Sequence, residues 1–523
     1  MAIELVLFIV FLVLAFLISR HFRVNHRLPP SPLALPIIGH FHLLNPLIHR
    51  SFHDLYLRLG PIFSLRLGSV PCVVVTSPEL AKEFLKTHEL SFMNRTANIA
   101  AASMTYNASF AFASHGPYWK FVRKLSTNEL LSSLSVDKFL SIRNQEYVRV
   151  FRMLAKKAEV CEPVNFSEEL PKVGHNIMGK MMLGKYSSAS RAARFRVVVR
   201  EATKIFGEFN FSDFNGIWKK FDLQGFQKRI DATHKKFDNL VEEIIAERQE
   251  LRKMKLHGDN SASAEEKDVK GFLDVILDME EECKSSNENS EVEFTRNHVK
   301  GLITDLFTAS IDTTSITMEW ALAEVINHPE VLKRAREEID RAVETGRLVG
   351  EWDLPNLPYI QAILKETLRL HPPLPLVPRI CTEECKLDNY IFPEKTLLFV
   401  NIWAMGRDPK NWENPLEFKP ERFLQLDGSL TNEVDIKGQH FQLLPFGTGR
   451  RMCPGLPLTM KMLPTQLAVM IQCFDFKVTG TQCNNTSNDK VLEMEEGPGL
   501  TVPRASDLVC VPVARFSSLM EYP

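Results

Sequence analysis

The chain has 523 residues, 45% hydrophobic and 24% charged, with a formal net charge of -1 at pH 7. That composition excludes a disordered polymer, which is poor in apolar residues and carries high net charge. With no basic run outside the N-terminal flank, it also excludes a phosphate-tracking surface, so no nucleic-acid partner is expected. Leu5 to Ile18 is an unbroken apolar run, LVLFIVFLVLAFLI, which Ala2, Ile3 and Ser19 extend toward the roughly 17 to 25 residues of a membrane span. Glu4 precedes the run where a signal peptide carries Lys or Arg, and no small-x-small cleavage site follows. Arg20, His21, Arg23, His26 and Arg27 flank its far side, so the positive-inside rule leaves the rest of the chain in the cytosol. Pro29, Pro30, Pro32 and Pro36 then make a semi-rigid spacer. The organisation expected is a membrane anchor over 1–22, a basic and proline-rich hinge over 23–36, and one large domain over 37–523.

Residues 61–76 predict two strands around a turn at Gly68-Ser69, and Pro78-Glu79 opens a helix to about His88. Helical periodicity then predicts helices around 117–132, 136–158, 166–184, 190–209, 224–256, 269–282, 295–326, 329–345 and 358–370. A second strand-rich stretch is expected over about 387–400. The polar tract 253–267 and the run EEECKSSNENSEVE read as solvated loops. The fold class is mostly α with a minor β-sheet. Nine cysteines, an odd number without framework spacing, point to a reducing compartment and mostly inert buried thiols.

Cys453 is the exception. It sits in Phe446-Gly447-Thr448-Gly449-Arg450-Arg451-Met452-Cys453-Pro454-Gly455, and a helical pattern follows directly. A thiolate ligand needs fixed N–H groups and a helix N-terminus to favour its charge. Glycines allow a flat macrocycle to approach closely, and an arginine suits an anionic carboxylate. Glu366 and Arg369 in KETLRLHPP stand at i and i+3 and can face each other on a helix. In TDLFTASIDTT, residues 306, 309 and 313 share a helical face, and a small Ala309 stands one turn from the Thr313 hydroxyl. Its hydroxyls can bond back to carbonyls and loosen the helix. Trp119 and Arg123 share a face at i and i+4.

Phe446, Gly449, Arg451, Cys453 and Gly455 fill all five fixed positions of Phe-x-x-Gly-x-Arg-x-Cys-x-Gly, and with the motifs above the sequence resembles the cytochrome P450 family. The resemblance implies a cytochrome P450 fold preceded by an N-terminal transmembrane anchor helix, in the endoplasmic reticulum membrane. It implies haem b with Cys453 as the iron's axial ligand and O2 as co-substrate. Electrons come from NADPH through NADPH-cytochrome P450 reductase, docking on the cysteine side. Trp119, Arg123, Arg379 and Arg451 are then expected at the haem propionates. Glu366, Arg369 and Arg422 are expected to form a buried triad that locks the segment leading to the cysteine. Thr313 is expected to hydrogen-bond the oxygen being activated, with Asp312 on the proton route. Ser310 departs from the family's glycine or alanine, which changes the groove beside Ala309.

More finely, stretches such as TYNASFAFA, GPYWKFVRKLSTNELL and GQHFQLLPFGTGRRMCPG resemble plant flavone synthase II and flavanone 2-hydroxylase, with 2-hydroxyisoflavanone synthases close by. That implies oxidation of a flavanone at C2. The substrate-lining candidates are Phe112, Phe206, Phe209, Leu306, Leu374, Val377 and Leu500. The aryl-migrating type carries a lysine before the arginine after its proline turn, and here that place is Pro378. Hydroxylation of another plant secondary metabolite remains an alternative. A non-catalytic membrane haem protein or scaffold is a different class, and intact Ala309, Asp312, Thr313 and Cys453 argue against it.

Overall fold

The computed structural model describes Phe8 and residues 28–95, 97–184, 189–208, 210–214, 222, 224–256, 271–285, 292–344, 346–478 and 491–516. Apart from Phe8, the apolar run 5–18 lies outside the described residues, and no described helix is long and apolar enough to cross a membrane.

Helix α1 (Ile48–Leu59) leads into the hairpin β1 (Ile62–Leu67) and β2 (Val70–Val75), whose turn falls at Gly68-Ser69 as the pattern predicts. Helix α2 (Pro78–Lys82) is N-capped by Ser77 and continues as one wider π-type turn through Thr87. Short helix α3 (Ile99–Met104) precedes α4 (Pro117–Ser126). The helix predicted over 136–158 is broken at Phe139 into α5 (Ser133–Lys138) and α6 (Leu140–Glu159), with Ser132 capping the first piece. Strand β3 (Val164–Asn165) runs into α7 (Phe166–Leu183), which stops at Gly184 with φ +72°. Then come α8 (Ala189–Gly207), α9 (Phe226–Leu256) and α10 (Phe272–Ser285). The last of these runs into the EEECKSSNENSEVE tract, so its first residues are helical rather than loop.

Helix α11 (Arg296–Asn327) is the axis of the fold. Its 32 residues span about 48 Å. Thr295 caps it in a box closed by His298, whose Nδ1 accepts the Thr295 amide at 3.0 Å. It is buried from Val299 to Phe307 and again from Thr314 to Ile326, so no amphipathic stripe is needed. Between those stretches Ala309 is exposed, and Thr308, Ser310, Asp312 and Thr313 are half-buried. Helix α7 packs along α11. A Cβ on Gly174 would stand 3.1 Å from Thr314 Oγ1 and 3.4 Å from the Ser310 carbonyl, so glycine permits the close approach there.

After α12 (Pro329–Ala342) and α13 (Pro358–Leu370) come β4 (Leu376–Ile380), β5 (Cys385–Leu387), β6 (Tyr390–Phe392) and β7 (Leu397–Asn401). This strand-rich stretch begins eleven residues before the expected 387, because Pro378 in its first strand masks the pattern. The main sheet has the order β1-β2-β7-β4, with β2 and β7 parallel and the other pairs antiparallel. Pro378 is tolerated because β4 is an edge strand. Short helix α14 (Ile402–Met405), helix α15 (Leu456–Cys473), β8 (Phe474–Val478) and β9 (Val509–Ala514) complete the chain. Strand β9 pairs with both β3 and β8 in a second sheet that periodicity did not reveal.

Candidate functional site

The Cys453 loop is shaped by two left-handed glycines, Gly447 and Gly449, each at φ +68°. A side chain at Gly449 would also collide with the Glu89 carboxylate, which accepts the Arg450 amide at 2.7 Å. The Cys453 amide donates to the Phe446 carbonyl at 2.9 Å, and Phe446 packs against the buried cluster that holds Leu368, Trp412 and Phe423. An added Cβ at Gly455 would sit 3.7 Å from Cys453 Sγ. The thiol keeps accessible surface although protein surrounds it, so it faces an internal recess rather than the outside. Burial raises its pKa, while the Gly455 amide, Arg123, Arg95 and the Leu456 amide oppose the rise. The loop alone therefore holds a thiol, and a cation bound to sulfur would tip it to thiolate.

Four guanidinium groups gather beside this loop. Arg123 Nη2 donates to the Met452 carbonyl at 2.7 Å. Arg95 donates to the Ala111 and Arg451 carbonyls at 3.3 Å each, and its buried Nε has no hydrogen-bond partner. Arg451 donates to the carbonyls of Met93 and Ala113, at 3.0 and 2.5 Å, and lies 4.5 Å over the Trp119 ring. Arg379 donates to the carbonyl of its own neighbour, Pro378, at 2.8 Å. Burial, then Arg95 and Arg451, hold Arg379 well below the usual arginine range. Burial, Arg95 and Arg123 bring Arg451 down to about 10. Among the described residues none of the four forms an ion pair, and the Glu89 carboxylate favours the charge of Arg379 without pairing with it. Mutually repelling buried cations call for anions. A dianionic porphyrin ligated through sulfur supplies them, so the residues present fit haem.

Along α11 every hydroxyl of the motif turns back on the helix. Thr308, Thr313 and Thr314 donate to the carbonyls four residues earlier at 2.8, 2.7 and 2.6 Å, and Ser310 reaches the Phe307 carbonyl at 3.3 Å. The helix nevertheless continues without interruption. Burial lifts Asp312 to about 6, with Arg200 opposing, which suits a group that gains and loses a proton near neutrality. One turn before Ala309, Asp305 is lifted by burial to about 7. Its carboxylate accepts Ser109 Oγ at 2.7 Å and the Phe110 amide at 2.8 Å.

Glu366, Arg369 and Arg422 are in contact. Arg369 donates twice to Glu366, at 2.6 and 2.7 Å, and Arg422 Nε donates to it at 2.9 Å. Arg369 also reaches the carbonyls of Gly406, Pro415 and Glu417, and Arg422 those of Glu413, Asn414 and Glu417. The two arginines thus tie α13 to the strandless segment 406–422.

The substrate-lining candidates fall on segments that meet. Asn98 Nδ2 donates to the Phe206 carbonyl at 3.0 Å, and a Cβ at Gly207 would stand 2.6 Å from the Leu500 amide. The Val502 amide donates to the Pro373 carbonyl at 3.0 Å. Leu306 and Phe206 are packed into the main core, Val377 is buried, Phe112 is half-buried, and Leu374 and Leu500 are 39% and 46% exposed. Phe209 lies outside the described residues. Arg95 and the Asp305–Ser109 pair were not singled out in the sequence, since nothing in their local spacing announces partners so distant.

Residues 29–502 match the family model described as Cytochrome P450. The chain is 51% identical to a protein named Cytochrome P450 93B16 from Glycine max, over 94% of this chain and 92% of that one. It is 50% identical to Cytochrome P450 93B2 from Gerbera hybrida, over 95% and 93%. To a 2-hydroxyisoflavanone synthase from Glycyrrhiza uralensis it is 48% identical, over 94% and 92%.

Proposed function

The chain belongs to the cytochrome P450 family, whose haem b, O2 and reductase-supplied NADPH electrons make it a monooxygenase, and on that premise we propose that it oxidises flavanones at C2. The product is a 2-hydroxyflavanone or the flavone. The enzyme is held at the endoplasmic reticulum membrane by residues 1–22, with 23–36 as hinge and 37–523 as a cytosolic catalytic domain served by NADPH-cytochrome P450 reductase.

Bound haem supplies oxygen activation, which a thiolate ligand favours by donating electron density. Cys453 is the residue to ligate it. Arg95, Arg123, Arg379 and Arg451, with Trp119, are placed to balance its propionates. Ala309 leaves room above the helix. Thr313 would hold a proton at its hydroxyl, which now donates to the Ala309 carbonyl, and Asp312, lifted to about 6, would resupply it. The apolar candidates orient a flat phenolic, as pockets with few polar groups do.

Pro378 carries the regiochemical reading. Val377 and Arg379 are buried while Pro378 between them is exposed, so its ring stands on the opposite face of β4. C2 of a flavanone is benzylic and next to the ring oxygen, which weakens its C–H bond. Aryl migration demands attack at C3 and a turned substrate, and reaction geometry of this kind is sensitive to about 1 Å. Whichever face of β4 borders the substrate, a proline at 378 offers no donor to impose that turn. The similarity to a 2-hydroxyisoflavanone synthase supports the second reading, aryl migration. Product analysis from naringenin and liquiritigenin, with reductase and NADPH, decides between them. Wild type is expected to give C2-oxidised products, and Pro378→Lys a trace of isoflavonoid. A 2-hydroxyisoflavanone as the main wild-type product would overturn the C2 reading.

A further inference from the structure

The segment 105–113 sends its backbone polar groups in two directions. Two of its amides go to α11: Phe110 N donates to Asp305 Oδ2 at 2.8 Å, and Ala111 N reaches it at 3.5 Å. Ser109 Oγ donates to Asp305 Oδ1 at 2.7 Å while accepting the amides of Ala111 and Phe112 at 3.1 and 3.3 Å. Carbonyls near its end go to the cation cluster beside Cys453: Ala111 O accepts from Arg95 at 3.3 Å and Ala113 O from Arg451 at 2.5 Å. The segment is therefore gripped by an acid on one side and guanidinium groups on the other.

The approach to it is tight. A Cβ on Gly301 would stand 2.8 Å from the Thr105 carbonyl. Tyr106 and Asn107 adopt φ +57° and +54°, a left-handed conformation that non-glycine residues keep only where their surroundings impose it. Tyr106 is pinned through its hydroxyl to Asp238 on α9 at 2.7 Å.

We propose that Asp305 is a positioning residue for the substrate: with Ser109 it clasps residues 109–112 onto α11 and so sets where Phe112 stands relative to Ala309, one turn further along. This rests on the reading of Phe112 as part of the substrate wall. The clasp is buried, with Asp305 itself 5% exposed, so removing either partner leaves amides without acceptors. The carboxylate touches neither sulfur nor substrate in this role; it acts through the loop.

The test uses the full-length holoenzyme, comparing wild type with Ser109→Ala, Ser109→Thr and Asp305→Asn. All are expected to keep the thiolate-type carbon-monoxide spectrum. In Ser109→Ala and Asp305→Asn, amide exchange over 109–112 should accelerate, and the naringenin spectral Kd and KM should rise roughly tenfold, with kcat changed far less. Ser109→Thr, which keeps the hydroxyl, should restore wild-type Kd and protection. Faster exchange with unchanged Kd and KM would overturn the positioning role, and unchanged exchange would overturn the clasp. If Asp305→Asn fails to incorporate haem, the Ala and Thr pair at 109 decides alone. If wild type shows no naringenin shift, the flavanone reading falls, and the clasp is judged by whether exchange over 109–112 separates Ser109→Ala from Ser109→Thr.

Discussion

Replacing Glu366 with glutamine isolates what the α13 triad contributes. Glu366 and Arg369 have fully buried side chains, and Arg422 is 11% exposed. The carboxylate accepts three guanidinium hydrogen bonds and the Lys419 amide at 2.8 Å. Glutamine keeps the shape but removes the charge and presents an NH2 to cations. Removing one partner of a buried pair costs about 3–5 kcal/mol because the other charge stays buried. Here the lower end applies, since both arginines retain carbonyl partners at Gly406, Pro415, Glu413 and Asn414. About 3 kcal/mol is roughly a hundredfold in the folded-to-unfolded ratio, out of a typical 5–15 kcal/mol. Purified Glu366→Gln should therefore yield much less haem-loaded protein and inactivate at lower denaturant, while the fraction that does load keeps the thiolate-type carbon-monoxide spectrum. Wild-type haem yield together with a wild-type denaturation midpoint would refute the reasoning.

Cys453→Ser should abolish the thiolate-type carbon-monoxide difference spectrum, because a serine hydroxyl is not an ionised soft ligand at neutral pH; a retained spectrum would move the ligand elsewhere. Thr313→Ala should uncouple turnover, measured as NADPH consumed with peroxide rising and product falling, and an unchanged product-to-NADPH ratio would remove Thr313 from the proton route. Asp312 is raised to about 6 by burial, so any stability it contributes is present below the ordinary carboxylate pKa and lost as pH rises through about 6. Asp312→Asn should thus resist denaturation relatively better at pH 8 than at pH 5, and should flatten any inflection near pH 6 in product per NADPH. Denaturation profiles that run parallel to wild type across that range would contradict the buried carboxyl.

What the sequence made legible was local. The hairpin at Gly68-Ser69 carries its turn, the long α11 its Thr295 cap and the run from Pro358 to Leu370 its opening proline within a few residues. The FGTGRRMCPG loop is equally self-contained, since its turns depend on its own glycines. The break at Phe139 was not visible, because apolar spacing continues through it while Ser132 recaps the first piece. Strand β9 was missed for another reason: besides β8 it pairs with β3, which is two residues long and lies hundreds of positions away. Arg95 belongs to the same class, bonded to Arg451 across 356 residues. Its neighbours in sequence give no hint of charge pairing, so its place among the cations emerges only from the folded chain.

The parallel pairing of β2 with β7 sets a timetable for synthesis. Cys72 meets Leu397, so about 325 residues must be made before the N-terminal hairpin gains its inner neighbour. At roughly 5–20 residues per second this takes about 15–65 s. Throughout that interval Val73, Val74 and Val75 form an apolar strand with an open edge, and such edges recruit other chains. That edge is thus the part of the hairpin most in need of shelter, and β7 is the strand that closes it. A ribosome stalled after α11 has emerged and before position 397 has done so should hold a chain in which helices α6 to α9 resist protease while the 62–75 hairpin is still cut.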